Sequence, residues 1–243
     1  MSIIGKIKII SSSTLELLRE DPLLVAAFFD AQWWSESGEK INQEAKARFV
    51  NLPSPQDLGW LIPASPLQWE NSYDWQALEE QFLAEWETAE LDLHKYWPEI
   101  TFLLAGYVPG YVTSEWTVPE LNVDNKYEKE FLPFLVIENS AWDGLPLVNA
   151  FGAGAELAYS IDYGAVRYLV SSEVEQIFDG LLKLSPKGYR KRFIRESKKP
   201  GPLPWIDWSE EEMLYWMTDY YREIVAYYRN AVSQHKTLLL YLT

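Results

Sequence analysis

The chain of 243 residues contains no cysteine and only two histidines, His94 and His235. The absence of thiols excludes disulfides, thiolate metal sites and cysteine nucleophiles. Neither histidine has a second one three or four residues away, which is the spacing typical of a histidine metal site on a helix. The sequence therefore predicts no metal centre and indicates no cofactor.

Long hydrophobic runs are also absent. Apolar stretches such as "LLVAAFF" are much shorter than the roughly 20 residues that a helix needs to cross a bilayer. The opening stretch "MSIIGKIKIISSS" is interrupted by Lys6 and Lys8, so it lacks the continuous apolar region of a secretory signal. We expect a cytoplasmic protein that does not act at a membrane.

Basic residues are few, because 21 Lys and Arg stand against 36 Asp and Glu, for a net charge of -15. Such a field repels phosphates, so nucleic-acid binding is disfavoured, whereas a basic protein partner is favoured. One stretch departs from this balance, "KGYRKRFIRESKK" at residues 187–199. It could dock a phosphate or an acidic partner, although a solvated helix face or an internal match to the protein's own acidic side is the commoner role.

Aromatic residues are abundant, with 12 Trp, 15 Tyr and 10 Phe. These large rings can fill a core, form an interface or provide stacking platforms for a ligand such as a sugar. Composition alone does not choose among these three uses.

The pattern along the chain predicts strands at both ends and helices between them. "IIGKIKII" alternates like a strand, and "TLLLYLT" is an apolar run of strand length. Because both termini then join one sheet, we predict an α+β fold, a single domain over 1–243 with helices packed around a central sheet. Aromatic and proline-rich stretches near 51–73 and 107–145 are interpreted as insertions.

Helix starts are predicted from capping boxes and helix faces from apolar spacing. The predicted boxes pair Ser13 with Glu16, Ser172 with Glu175 and Ser209 with Glu212. The last helix carries an apolar stripe: Leu214, Met217, Tyr221, Ile224 and Tyr228.

Several segments together resemble the YfbM-like family of bacterial proteins, whose domain has no known function. They are "MSIIGKIKIISSSTLELLREDP", "LDLHKYWPEITFLLAG", "LPLVNAFGAG", "YGAVRYLVSSEVEQIFDGLLKLS" and the closing helix with "TLLLYLT". The resemblance implies helices around a sheet and no established activity.

The middle motif departs from the family pattern, which runs roughly Leu-Asp-x-Asp-Lys-x-Trp and continues into a helix that contains a histidine. Lys95 and Trp97 match that pattern. His94 replaces the second aspartate, and Thr101 stands where the family has its histidine. A histidine mechanism inherited from relatives would therefore have no residue here.

Sequence motifs for known chemistries are weak or absent. "NVDNKYEKEFLP" begins like a calcium loop, but it lacks the glycine and the final glutamate that such a loop needs. "GAGAEL" lacks the third glycine of a dinucleotide fingerprint, and neither a phosphate loop nor a GxSxG elbow occurs. His94 could serve as a general base, although a structural or surface role is the commoner one.

Two classes of function stay open. The first is a non-catalytic binding protein for a basic protein partner, such as a toxin or nuclease. The alternative is an enzyme that acts on carbohydrates or small molecules with paired carboxylates in an aromatic cleft. The candidate binding residues are His94, Lys95, Trp97, Arg167 and Tyr168, although Trp97 could belong to the core and Arg167 could pair with an acid. Oligomeric state is not predicted.

Overall fold

The computed structural model describes residues 3–36, 73–108, 132–161, 163–198 and 211–243, without the side chains of 33–36 and 211. These ranges contain six α-helices and seven strands. The helices are α1 (Ser12–Glu20), α2 (Pro22–Glu36), α3 (Trp75–Trp86), α4 (Trp97–Ala105), α5 (Ser171–Glu196) and α6 (Glu211–Ser233). The strands are β1 (Gly5–Ile10), β2 (Leu91–Asp92), β3 (Val136–Ile137), β4 (Leu147–Val148), β5 (Ala155–Ile161), β6 (Gly164–Leu169) and β7 (Thr237–Leu242).

The main sheet has five strands in the order β2-β1-β7-β6-β5, and every neighbouring pair is antiparallel. The two terminal strands pair along their whole length, from Gly5 opposite Leu242 to Ile10 opposite Thr237. Strands β3 and β4 form a separate two-stranded ribbon. The predicted α+β fold, with both chain termini in one sheet, is confirmed.

Two compact units contain these elements, Met1–Pro22 with Glu90–Thr243 and Leu23–Ala89. In the larger unit, Ile7, Leu238 and Leu240 of the sheet belong to one buried cluster with residues of α4, α5 and α6. On α6 the predicted stripe is buried at Met217, Tyr221, Ile224 and Tyr228, and Leu214 is partly buried. The single domain over 1–243 stays a prediction.

The smaller unit is built on aromatic packing between α2 and α3. The Phe28 ring lies 5.4 Å from that of Phe82 and 5.0 Å from that of Trp86. The Trp86 indole also donates a hydrogen bond of 2.7 Å to the Phe28 carbonyl. A buried indole that finds an acceptor adds specificity to hydrophobic packing.

Two of the predicted helix starts are wrong. Helix α1 is capped by Ser11, not Ser13, because the Ser11 hydroxyl accepts the Thr14 N–H at 3.2 Å. Helix α5 begins at Ser171, and the Glu173 carboxylate accepts the Val170 N–H at 2.9 Å. At α1 the end of the preceding strand selects Ser11 from a run of three serines, whereas at α5 the cap position is Val170 and both serines lie inside the helix. Ser209 lies outside the described residues.

Helix α5 consists of two helical segments. Ser185 adopts a left-handed φ of 62°, and Pro186 follows it inside the helix. The Ser185 hydroxyl accepts the Gly188 N–H at 3.2 Å, so it caps a second helical segment.

The predicted insertions are covered only in part, because 51–72 and 109–131 lie outside the described residues. Within the described ranges, no helix has both the length and the apolar character needed to span a bilayer.

Candidate functional site

A groove of about 590 Å³ opens in the larger unit. One wall is the single-turn 3₁₀ helix His94–Tyr96, between β2 and α4, and the other is one face of α6. The lining residues are Ile4, His94, Lys95, Tyr96, Trp216, Asp219, Tyr220 and Glu223. Two of the predicted binding residues, His94 and Lys95, therefore face this space.

The first wall is held by strand β1. The Leu93 N–H donates to the Gly5 carbonyl at 2.8 Å, and the following turn places Tyr96 before the start of α4. A side chain at Gly5 would meet the Trp97 Cβ at 2.5 Å, so only glycine allows this close approach. The absence of a side chain at position 5 thus helps to define the groove wall.

His94 has a left-handed backbone, with φ of 50°. Asp92 supports it, because Asp92 Oδ1 accepts the His94 N–H at 2.6 Å and lies 3.4 Å from His94 Nδ1. A left-handed backbone in a residue other than glycine costs about 1–2 kcal/mol, and such residues concentrate at functional sites. The strained position in this wall is therefore a site residue of interest.

The second wall presents aromatic rings between carboxylates. The Tyr96 ring lies 6.2 Å from Trp216 and 5.9 Å from Tyr220, and Trp216 is 42% exposed. Asp219 and Glu223 stand on the same helix, one turn apart. Rings that touch neighbours on one side and solvent on the other are suited to stacking or cation–π contacts.

The titratable groups of the groove differ in their pKa values and in their ion pairs. Burial, with smaller contributions from Tyr96, Glu223 and Asp92, raises the pKa of Tyr220 to about 12. Its hydroxyl therefore stays protonated at neutral pH. Asp219 is paired with Arg222 at 2.7 Å, whereas Glu223 makes no ion pair with any residue that the structure describes.

The catalytic potential of the groove is limited. His94 and Asp92 form a pair that could orient an imidazole base, but the hydroxyls that line the groove belong to Tyr96 and Tyr220. A phenol with a raised pKa is a poor nucleophile. No serine or threonine is among the described lining residues.

Trp97 and Thr101 lie away from the groove, in the core. Trp97 is 3% exposed and its ring lies 5.8 Å from that of Phe151. Thr101 is also buried, and its hydroxyl donates to the Trp97 carbonyl at 2.7 Å. The core alternative considered for Trp97 fits this position.

Arg167 and Tyr168 lie on β6 and do not line the groove. Arg167 is buried and pairs with Glu156 at 2.5 Å, and it also donates to the carbonyls of Ala153 and Gly154. The Tyr168 ring lies 5.4 Å from the Arg19 guanidinium. The cavity beside Arg167 measures about 20 Å³, which is room for one water at most. The structure does not bring these two residues together with His94 and Lys95.

Sequence reasoning missed the α6 side of the groove. Trp216, Tyr220 and Glu223 recur at helical spacing, but they lie beside the apolar stripe and not on it. An aromatic and acidic second face on an otherwise amphipathic helix was the available signal. The described residues contain no group of three or more His, Asp and Glu that could hold a metal ion.

The fold and the groove together define an α+β protein with an open, aromatic and partly acidic cleft. The chain belongs to the family described as a domain of unknown function, DUF1877, whose model matches residues 1–241. The resemblance to the YfbM-like family of unknown function is thereby confirmed. No curated protein matches the chain.

One similar solved structure is that of YfbM from Escherichia coli, titled as a protein of unknown function. It is 14% identical, the alignment covers 99% of each chain, and the TM-score is 0.44. A similarity of that size does not by itself establish a common fold.

Proposed function

We propose that this protein is a non-catalytic binding protein of the bacterial cytoplasm, and that its groove receives a cationic side chain of a basic protein partner. The observation that carries the proposal is the meeting of three aromatic rings with Glu223 and Asp219 in one open groove. A cation gains both from ring faces and from a carboxylate such as Glu223, which makes no ion pair within the described residues.

The chain's own Lys95 supports the cation–π part of the proposal. Its ammonium lies 5.3 Å from the centre of the Tyr96 ring, within the range of a cation–π contact. Trp216 is exposed in the opposite wall, and among aromatic rings an indole attracts cations most strongly. A partner's lysine or arginine would take the Trp216 face, with Asp219 about one turn along α6 and Glu223 about two turns along it.

The net charge of -15 supports the choice of a basic partner. A field of this sign accelerates the approach of a cationic protein and disfavours anionic ones. Ion pairs at the rim then contribute more to the association rate than to affinity. The groove would supply the specific contact that long-range attraction alone lacks.

The test uses a short fluorescein-labelled peptide of lysine, arginine and glycine as a probe at physiological ionic strength. We expect the double variant Trp216→Ala/Glu223→Gln to weaken binding about tenfold, from the loss of one cation–π contact and one ion pair. The matched control is Tyr215→Ala/Glu212→Gln, which removes an exposed ring and an exposed carboxylate from the same helix outside the groove. Equal losses in both variants would refute a groove-specific site.

A carboxylate enzyme is the second candidate, because Asp219 and Glu223 lie beside exposed aromatic rings. Glycoside hydrolysis needs two carboxyl groups on opposite sides of the scissile bond. Asp219 and Glu223 project from successive turns of one helix, so they share one wall. Hydrolysis of a chromogenic glycoside that disappears in Glu223→Gln would overturn the non-catalytic proposal.

A further inference from the structure

The cations of the basic stretch fall into two sets by their contacts over 187–198, since Lys199 lies outside the described residues. Arg192 is 1% exposed and pairs with Asp143 at 2.6 Å. Arg195 pairs with Glu196 at 2.8 Å, and its guanidinium lies 4.3 Å from the centre of the Trp142 ring. Both arginines therefore make their contacts within the protein.

The other set is exposed and lies along the last part of α5 and the turn after it. Lys187, Arg190 and Lys191 lie on α5 at the three- and four-residue spacing of one helix face, and Lys198 lies in the turn two residues after the helix ends. At 1.5 Å per residue the helical part, from Lys187 to Ile194, is about 10 Å long. None of the four forms an ion pair with any residue in the part of the chain that the structure describes. We call these four residues, together with Ile194, the basic face.

Ile194 lies in the middle of the basic face and is 38% exposed. An apolar side chain framed by long cationic ones is the usual composition of a small docking surface, with an apolar centre and a charged rim. In a chain with a net charge of -15, intramolecular pairing could have neutralised these cations many times over. Within the described residues these four cations have no carboxylate partner, so we argue that they serve an external anion.

We propose that the basic face docks an acidic segment of a partner polypeptide, on a surface that shares no residue with the groove. The size of the face favours a polypeptide over a polyanion of indefinite length. A short acidic segment ends where the four cations end, whereas a nucleic acid or an anionic membrane would extend onto the acidic remainder of the chain. An exposed leucine or valine within the acidic segment would contact Ile194.

The experiment compares three labelled probes on the full chain: a peptide of glutamates around one leucine, single-stranded DNA and vesicles containing phosphatidylserine. We expect binding of the acidic peptide, weakened by added salt and reduced at least tenfold in Lys187→Gln/Arg190→Gln/Lys191→Gln. Replacement of Ile194 by serine should weaken it about threefold without changing its salt dependence, because no charge is removed.

The matched control is Lys183→Gln/Arg222→Gln/Arg229→Gln, which removes the same charge from exposed cations off the basic face. This control should bind the peptide about as well as the unaltered protein. Equal loss in the two triple variants, or no binding of the peptide, would overturn the proposal. Tighter binding of DNA or vesicles than of the peptide would also overturn it, in favour of that other partner. Folding of each variant is checked by circular dichroism.

Discussion

The Asp92 carboxylate holds His94 in its left-handed conformation, accepting its N–H at 2.6 Å and lying 3.4 Å from its imidazole Nδ1. This contact joins the end of strand β2 to the groove wall. The left-handed turn before α4 has no signature in the sequence that predicted it. Histidine tolerates this region better than most residues, which accounts for its presence.

Substitutions at His94 should report the strain directly. We expect His94→Gly to be neutral or to stabilise the protein by up to about 1 kcal/mol, because glycine adopts a positive φ without a steric cost. His94→Val should destabilise it by about 1–2 kcal/mol, because a branched side chain is least tolerated there. Urea unfolding of the two variants measures both effects. A more stable valine variant would contradict the strain assigned to this turn.

Arg192 and Asp143 form a two-pronged ion pair at the edge of the interior. Arg192 contacts both carboxylate oxygens, at 2.6 and 3.0 Å, and donates to the carbonyls of Leu103 and Leu104 at 3.1 Å. It thereby satisfies the end of helix α4 and fixes the loop before β4. Arg192→Leu should cost about 3–5 kcal/mol, because it leaves a carboxylate and several carbonyls without partners.

The control for Arg192 is Arg222→Leu, which breaks the exposed pair with Asp219. It should cost less than about 1 kcal/mol of unfolding free energy.

The pair of Arg192 with Asp143 also predicts that the protein is sensitive to acid. Burial raises the pKa of Asp143, but hydrogen bonds and the charge of Arg192 outweigh it, so the pKa lies below its usual value. The stability from this carboxylate is therefore present at neutral pH and lost as the pH falls through that lowered pKa. A cost of Arg192→Leu that is equal at neutral and strongly acidic pH would contradict this account.

Trp216 and Met217 are neighbours on α6 with opposite environments. Trp216 is 42% exposed in the groove, and Met217 is fully buried in the core. Met217→Ala should lower the free energy of unfolding by about 2–5 kcal/mol. Trp216→Ala should lower it by less than about 1 kcal/mol while it weakens cation binding. A large stability loss at Trp216 would show that its ring belongs to the core.

The main elements of the fold could be predicted because the pattern of apolar residues along the sequence indicates which side chains are buried. Strand β1 and the stripe on α6 follow from the spacing of apolar residues, and β7 follows from an apolar run of strand length. The helix starts were harder to predict from the sequence. Each of the serines at 11–13 could cap α1, and the point where β1 ends decides that Ser11 is the cap. The kink at Ser185 is signalled in the sequence by Pro186, a residue that interrupts helices.

The groove was only half predictable. His94 and Lys95 were chosen from a motif, and they line it. Arg167 was chosen in the same way, but it is buried against Glu156, because a motif does not reveal which way a strand residue faces. Tyr220 and Glu223 follow His94 by more than a hundred residues, and a single sequence does not show that such segments meet. Only the packing of α6 beside β2 brings them to the same space.

Glu99 offers a test of the interior behind the groove wall. Its side chain is buried in the first turn of α4, and within the described residues its Oε2 and the Tyr189 hydroxyl make no hydrogen bond. Burial raises the pKa of Glu99 to about 7, although its own backbone N–H and the charge of Lys95 act in the opposite direction. The native protein therefore binds this proton more tightly than the unfolded chain does.

The sign of the pH effect follows from this raised pKa. The stability linked to Glu99 is full at low pH, falls as the pH rises from about 4.5 towards 7, and is lost above that. The shift corresponds to a cost on the order of 3 kcal/mol at pH 8. Glu99→Gln keeps the shape without the charge, so it should match the unaltered protein near pH 4 and exceed its stability at pH 8. Urea unfolding at both pH values measures the difference, and an equal effect at the two values would show that folding does not raise the pKa of Glu99.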